Sequence, residues 1–271
     1  MGLSILNNIP ALAAENQLDI TQNDLQTTLY QLASGSRINT GADDAAGLAI
    51  ADGLQANITA LTQSQRNAND GVGQLQVADG ALSQITTLLN RAITLATESA
   101  TGTVGSGQRT ALNAEFLSIK AEIDSIGANT TFNNTSVFTS SVTSIFLSDS
   151  VASSSITLSV GAMSSNALTL AGDNLLTETS SQTALTDINN AITTVASARG
   201  TVGAVINRLQ AASSVMNNQV QDLTSAEDTI TAADIAKDVA DMNKYNILEQ
   251  TGMAALSQAN QSQQQVLTLL K

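Results

Sequence analysis

The residues best suited to chemistry are few. The chain of 271 residues holds no Cys and no His, so thiolate and imidazole nucleophiles, bases and zinc ligands are all missing. What remains is carboxylate: the adjacent pair Asp43 and Asp44, and the run Asp222, Glu227, Asp228, Asp234, Asp238 and Asp241. A carboxylate pair can serve acid–base or metal chemistry. This pair, however, stands at the start of a helical pattern, where a carboxylate caps free N–H groups and stabilises by about 1 kcal/mol. The longer run lacks the alternating D-x-D-x-D-G of a calcium loop and reads as a solvated face. Gly71-Val72-Gly73 has no third glycine at dinucleotide spacing, and neither a phosphate-binding loop nor a G-x-S-x-G elbow occurs. The expectation is a protein that is not an enzyme and uses no metal or cofactor.

Net charge is −13. Such a surface repels phosphates, and no basic stripe offsets it, so nucleic-acid binding is not expected. Lys and Arg are absent between Lys120 and Arg199, which leaves no polybasic membrane anchor there. No run approaches the ~20 apolar residues that span a bilayer, so membrane insertion is not expected. The N-terminus lacks the cationic start and apolar centre of a cleaved secretory signal. Taken alone this points to the cytoplasm, unless the chain leaves by another route. Hydrophobic residues reach 42% but aromatics only 2%, which suits a thin core of Ala, Leu, Ile and Val shared along helices.

The elements follow from periodicity. Leu18, Leu25, Leu29 and Leu32 are spaced 7, 4 and 3 and predict a helix over about 10–33, with Pro10 in its first turn and Gly35 as its stop. A second pattern runs from Asp43-Asp44 to about Thr101. Steps of 4 and 3 from Leu54 visit Ile58, Leu61, Gln65, Ala68, Val72, Leu75, Asp79, Leu82, Thr86, Leu89, Ile93 and Ala96, a heptad-like seam. Gly71, Gly73 and Gly80 inside it each weaken a helix by up to about 1 kcal/mol relative to Ala, which predicts close contacts or a bend. Leu112, Phe116, Ile119 and Ile123 predict a third helix over about 108–126, with Gly127 as its stop. From Ser136 to Ser181, Ser or Thr fills 20 of 46 positions, and helical periodicity disappears. Ile156 to Val160 alternates with period two, and Thr143 to Leu147 more weakly, so short hairpins are expected at about 130–180. A fourth helical region is expected from about Gln182 to Asp228, with the heptad carried by Val202, Ile206, Leu209, Ser213, Met216, Val220, Leu223, Glu227 and Ile230. A last helix opens near Thr231-Ala-Ala-Asp234, a capping-box pattern, and carries Ile235, Val239, Met242, Leu248, Leu256, Leu267 and Leu270. The fold class is therefore mainly α: a long antiparallel helical bundle or coiled coil formed by both chain ends, with a small β-hairpin region in the middle. One thin partner cannot bury both terminal stripes, so self-association follows.

The segment Leu29-Tyr-Gln-Leu-Ala-Ser-Gly-Ser-Arg37-Ile38-Asn39-Thr-Gly-Ala-Asp43-Asp44-Ala-Ala-Gly47-Leu48-Ala-Ile50 resembles the N-terminal signature of bacterial flagellins. So do Arg66-Asn67-Ala68-Asn69-Asp70-Gly71 and Ala78-Asp79-Gly80-Ala81-Leu82. The tail is similar too, from Ala233-Asp234-Ile235-Ala236 through Ile247-Leu248-Glu249-Gln250-Thr251-Gly252 to Ser257-Gln258-Ala259-Asn260-Gln261. These motifs span roughly 1–135 and 195–271 in the family's order. The resemblance implies a minimal flagellin without outer domains. Residues 1–42 and 232–271 would form a terminal helical domain in the filament core, and 43–231 a rod-like helical domain carrying the hairpins.

The same resemblance implies a homopolymer of many subunits, motility, and an extracellular place in the flagellar filament. The unfolded chain would leave through the flagellar type III export apparatus and meet chaperone, cap and junction proteins. Arg91, Leu95 and Glu115 fall on positions linked to the vertebrate Toll-like receptor for flagellin, although Thr94 stands where glutamate is usual and Gln263-Gln264 where proline is frequent. Two alternatives share part of the pattern. A hook–filament junction protein usually has proline after the paired aspartates, where Ala45 stands here. A non-polymerising secreted coiled-coil protein would account for the heptads but not for both terminal motifs.

Overall fold

The computed structural model describes residues 8–139, 142–148 and 155–269, with side chains to residue 265. Five helices account for most of these residues: α1 Ile9–Ser34, α2 Ala45–Ser99, α3 Ser106–Asn129, α4 Glu178–Thr231 and α5 Ile235–Leu269. Between α3 and α4 lie two antiparallel hairpins, β1 Thr131–Phe132 with β2 Thr135–Ser136, and β3 Thr143–Phe146 with β4 Ser155–Leu158. Backbone contacts divide the chain into one unit of residues 1–56 and 222–271 and another of residues 57–221. No helix among the described residues is long and apolar enough to cross a membrane.

In the second unit, α2 and α4 run antiparallel. Gln65 donates to Asn217 at 2.6 Å, Asp79 receives a forked pair from Arg199 at 2.8 and 3.2 Å, and Ser181 donates to Ser99 at 3.0 Å. The partner's number falls as the α2 number rises. At 55 residues and 1.5 Å per residue, α2 is about 82 Å long. The seam expected from Leu54 onward is buried or half-buried at every step. Two of its three polar interruptions, Gln65 and Asp79, are the residues that bond across to α4, and the third, Thr86, donates to the Leu82 carbonyl of its own helix. The deepest packing is shifted by one residue from that expectation. Ser64, Gly71, Ala78, Ile85, Ala92 and Ser99 are buried where Gln65, Val72, Asp79, Thr86 and Ile93 are only half-buried. Small residues hide this second row from an apolar count, because Gly, Ala and Ser contribute little hydrophobicity yet permit close approach. On α4 the seam from Val202 to Ile230 is buried or half-buried throughout.

The hairpins form where period-two alternation and turn chemistry predict them. Asn133 and Asn134 both hold positive φ, 49° and 60°, as a two-residue primed turn requires. Ile145, Ile156 and Leu158 turn inward, pairing Thr143 with Leu158 and Phe146 with Ser155. Gly71 is where α2 receives this sheet: a Cβ there would collide with Ile145. Ser64 Oγ and Asn67 Nδ2 donate to the carbonyls of Ser148 and Phe146, at 3.1 and 3.3 Å. Gly73 faces the Phe132 ring at ordinary distance, and Gly80 faces open space.

The segment after β4 is clasped by α3. Asp124 accepts from Ser165 N and Oγ at 2.6 and 2.8 Å, Asn113 accepts from Leu175 N at 2.8 Å, and the buried Lys120 donates to the carbonyls of Ala171 and Asp173 at 3.0 Å each. Burial holds the Lys120 ammonium below its ordinary pKa against the pull of Asp173 and Asp124. Burial also raises the Asp173 carboxyl, with neighbouring Asp187 raising it further. Its Oδ2 is buried without a donor among the described residues.

Two expected helix ends move. Helix α3 does not stop at Gly127; it continues to Asn129, and Gly127 is needed because the Met163 carbonyl lies where its Cβ would be. The α5 cap is Asp234, whose Oδ1 accepts from Lys237 N at 3.1 Å, whereas Thr231 closes α4 by donating to Glu227. Alanine is the better helix former by about 1 kcal/mol, yet Gly127→Ala should destabilise the residue 57–221 unit by about 1–3 kcal/mol, since backbone cannot move aside as a side chain can. Thermal melting followed by circular dichroism checks this; an unchanged or raised midpoint would refute the close approach.

Candidate functional site: the terminal helix pair and its corner

No cluster of three carboxylates suited to a metal is present among the described residues. The site that stands out is a surface, built on the unit of residues 1–56 and 222–271.

Helices α1 and α5 pack antiparallel over their length. Asn8 caps α1 by accepting from Ala11 N at 3.1 Å, and its Nδ2 reaches Asn260 Oδ1 and the Ala259 carbonyl, both at 3.3 Å. Gln22 donates to Glu249 at 3.4 Å. Ala11, Thr21 and Thr28 are buried, and Leu18, Leu25 and Leu32 are half-buried on the same face of α1. Their steps of 7, 3, 4, 3 and 4 trace one helical stripe. On α5 the half-buried positions Met242, Tyr245, Glu249, Gly252, Leu256 and Ala259 alternate 3 and 4 in the same way. The threonines are masked from a hydrophobicity reading, yet each turns its hydroxyl back to its own helix, to Gln17 and Asp24, and presents its methyl to the seam.

The apolar residues expected on one stripe therefore separate onto different faces. Leu29 does not share the seam with Leu25 and Leu32; the inward position is Thr28, and Leu29 is exposed. On α5, Met242 and Leu256 face α1, whereas Ile235, Val239 and Leu248 are exposed. The side chains of Leu267 and Leu270 lie outside the described residues. On the far side of α1, Ile9, Leu12, Ile20 and Tyr30 are each more than half exposed. At 100° per residue they fall within one sector roughly opposite the α5 seam. Ile247 and Met253 add exposed apolar surface to α5. Burying the open half of each α1 side chain is worth roughly 1 kcal/mol, so this stripe alone offers several kcal/mol to a docking partner.

The corner between α1 and α2 is polar. Gly35 ends α1 at φ 70°, and Ser36 bridges Ala232 across the α4–α5 turn. Arg37 donates its backbone N–H to the Thr231 carbonyl at 2.6 Å and its guanidinium to the Ile230 carbonyl at 2.8 Å, with Asp44 at 3.7 Å. Ile38 is buried beneath. The adjacent aspartates divide their work. Asp43 Oδ2 accepts from Asn39 N, Thr40 N and Thr40 Oγ1 at 3.0, 2.8 and 3.1 Å, and Asp44 Oδ1 caps α2 by accepting from Gly47 N at 2.9 Å. Asn39 Nδ2 closes the turn onto the Ser36 carbonyl at 3.0 Å. A side chain at Gly47 would strike both Asp44 and Ile38.

The remaining motif residues lie on α2. Arg66 forks onto Gln63 at 2.9 and 2.7 Å, Asn67 supports the β3 edge, and Asn69 and Asp70 are exposed. Arg91 and Glu115 form an exposed ion pair at 2.8 Å, in which the Arg91 hydrogen bond lowers the Glu115 pKa and Glu115 raises that of Arg91. Leu95 is 1% exposed, so its side chain belongs to the core beneath that pair and is not presented to a partner.

Comparison with known proteins decides the family. Residues 5–143 match the bacterial flagellin N-terminal helical region, and residues 185–270 the bacterial flagellin C-terminal helical region. A flagellin of Halalkalibacterium halodurans is 35% identical, with 98% of this chain and 99% of that protein covered. The "Flagellar filament 30.7 kDa core protein" of Treponema maltophilum is 29% identical over 98% of this chain and 99% of its own length. The crystal structure of Bacillus cereus flagellin superposes with a TM-score of 0.50 at 31% identity, over 60% of this chain and 94% of that one.

The chain belongs to the bacterial flagellin family.

As a flagellin it is a structural subunit that self-assembles into the bacterial flagellar filament, and a form without outer domains fits its length. In this flagellin the corner motif ties the α1–α2 turn to the α4–α5 turn. Its hydrogen bonds hold the Asp43 carboxyl below the usual carboxylate range, first through the Thr40 backbone, then the Asn39 backbone and the Thr40 hydroxyl. A depressed carboxyl stabilises the fold above its ordinary pKa of about 4, and this is lost as pH falls through the folded-state value. Asp43→Asn should therefore melt below the parent at pH 7, and the gap should close below about pH 4. A gap independent of pH would show that the Asp43 charge does not hold the turn.

Proposed function

We propose that this flagellin assembles through the faces of α1 and α5 that the pair leaves uncovered. In this scheme residues 1–42 and 232–271 form the filament core layer and residues 43–231 the rod layer around it. Leu18, Leu25, Leu32, Met242 and Leu256 hold the pair together. Leu29, Ile235, Val239 and Leu248 join Ile9, Leu12, Ile20 and Tyr30 in contacting neighbouring copies. The observation that carries this reading is the second apolar stripe of α1, which lies opposite its α5 seam and is left open among the described residues. A helix apolar on more than one side is stable only when buried on more than one side.

The assembled product would be extracellular, as flagellar filaments are, and the unfolded chain would reach it through the type III export apparatus with chaperone, cap and junction proteins as partners. The composition supports folding after export. With no Cys and a single Pro in the first turn of α1, the chain avoids disulfide shuffling and nearly all prolyl isomerisation, the slow steps of folding. Deleting residues 232–271 should abolish polymerisation while helical signal from residues 57–221 persists. Negative-stain electron microscopy after seeding checks this; uniform filaments from the truncated chain would refute two-ended assembly.

One observation favours a second role. Arg91 and Glu115, 24 positions apart in sequence, are locked into one exposed patch on α2 and α3, which we propose as a contact for the Toll-like receptor for flagellin. Purified monomer should activate reporter cells bearing that receptor, and Arg91→Ala should reduce the response; silence at micromolar dose would dismiss the role.

A further inference from the structure

Gly252 stands in the middle of α5, where glycine is the poorest helix former after proline. It is half-buried on the face that meets α1, between Glu249 and Leu256, which also point inward. The space its missing side chain leaves is filled by Leu18: a Cβ at 252 would lie 2.7 Å from Leu18 Cδ1 and 4.0 Å from Cγ. It is the single glycine in the sequences of α1 and α5.

The rest of the seam specifies alignment weakly. Leu18, Leu25 and Leu32 repeat every seven residues on α1, as do Met242, Glu249 and Leu256, and Tyr245, Gly252 and Ala259, on α5, so a slide of one heptad carries seam positions onto seam positions. Against that smooth background stand three features that agree on one register: Asn8 with Asn260, Leu18 with Gly252, and Gln22 with Glu249. The first and last are polar contacts at the surface that water can replace. The middle one is a shape match, a leucine knob in a glycine hole.

We propose that Gly252 is the register key of the α1–α5 pair, a positioning residue for polymerisation. Seating Leu18 over Gly252 aligns the outward stripe of α1 with Ile235, Val239 and Met253 of α5, so that every copy presents the same composite surface. The consequence for assembly rests on the reading above; the register itself does not.

The absence of native cysteine makes the register directly measurable in the full-length chain. In the Asn8→Cys, Asn260→Cys protein, oxidation with diamide should give an intramolecular disulfide, seen as faster migration on a non-reducing gel. No such crosslink would overturn the register. Adding Gly252→Leu should lower crosslinking, and in the cysteine-free chain lower sedimentable filament, each by about tenfold, as expected for overpacking at a close helix contact. Gly252→Ala should have a smaller effect, because the end of Leu18 can swing aside. Leu18→Ala combined with Gly252→Leu should restore both readouts, which misfolding caused by the residue 252 change alone would not allow. Normal crosslinking in Gly252→Leu, or no rescue by Leu18→Ala, would overturn the proposal. If the parent chain crosslinks and responds as described but never forms filaments, the register stands and the assembly reading fails.

Discussion

A long helix with apolar side chains on more than one side cannot be satisfied by a single partner. That constraint shapes the terminal part of this flagellin. Helices α1 and α5 bury one stripe against each other, and Ile9, Leu12, Ile20 and Tyr30 remain on the other side of α1. A globular domain would fold a further element over that stripe, but here the residues on both sides of the pair are used in turns and in α2 and α4. We propose that neighbouring copies cover the surplus. Ordering a residue costs roughly 1–2 kcal/mol of backbone entropy, and a seam containing Ala11, Thr21, Thr28, Gly252 and Ala259 offsets little of it. On that reading the pair depends on assembly for much of its stability, and assembly on the pair for its surface.

Small residues take the place that large aromatics hold in compact cores. Gly71 admits Ile145 of the hairpin, and Gly127 admits the carbonyl of Met163. Ala78 and Ala92 let the buried face of α2 lie close to its neighbours. Close backbone approach increases dispersion contacts without large side chains, which suits helices with no Trp and so few Phe and Tyr. Such smooth seams leave alignment underdetermined, and polar pairs supply it. Gln65 with Asn217 and Arg199 with Asp79 cross between α2 and α4 at places where an apolar seam is interrupted.

Much of this was legible in the sequence. Apolar stepping located α1, α2, α3 and the later part of α4, since an apolar repeat of 3.5 residues sustained over many turns matches a helical face and no strand; the capping pattern before Ile235 marked α5, and period-two alternation at Ile156 marked the larger hairpin. The features that stayed hidden did so for physical reasons. The row Ser64, Gly71, Ala78, Ile85, Ala92 and Ser99 is buried because nearly all its members are small, and hydrophobicity does not record smallness. Thr28 replaces Leu29 in the α1 seam because its hydroxyl is satisfied by its own helix, so a residue scored as polar packs as an apolar one. Gly127 looked like a helix stop because glycine serves both as a terminator and as a gap for another segment, and only the position of Met163 separates the two. At the corner, residue types gave away a cap at Asp43-Asp44 but not the division of labour between the two aspartates, nor the reach of Arg37 to Ile230 and Thr231, which lie far away in sequence.

That corner and the seam act as one device. At one end of α1 the side chain of Asn8 bonds Asn260; at the other, Ser36 bridges Ala232 and Arg37 N–H bonds Thr231. A helix held at both ends can slide only if both attachments break together. A slide by one heptad would also lift Leu18 off Gly252, and the three losses would fall at the same moment. Individually, two exposed side-chain hydrogen bonds or a turn bridge contribute about 1 kcal/mol each. Concerted, they make the neighbouring registers steeply less populated than the native one, since each step of about 1.4 kcal/mol is a factor of ten. A filament needs that discrimination more than a monomer does, because a misaligned subunit presents a surface that the next copy cannot match.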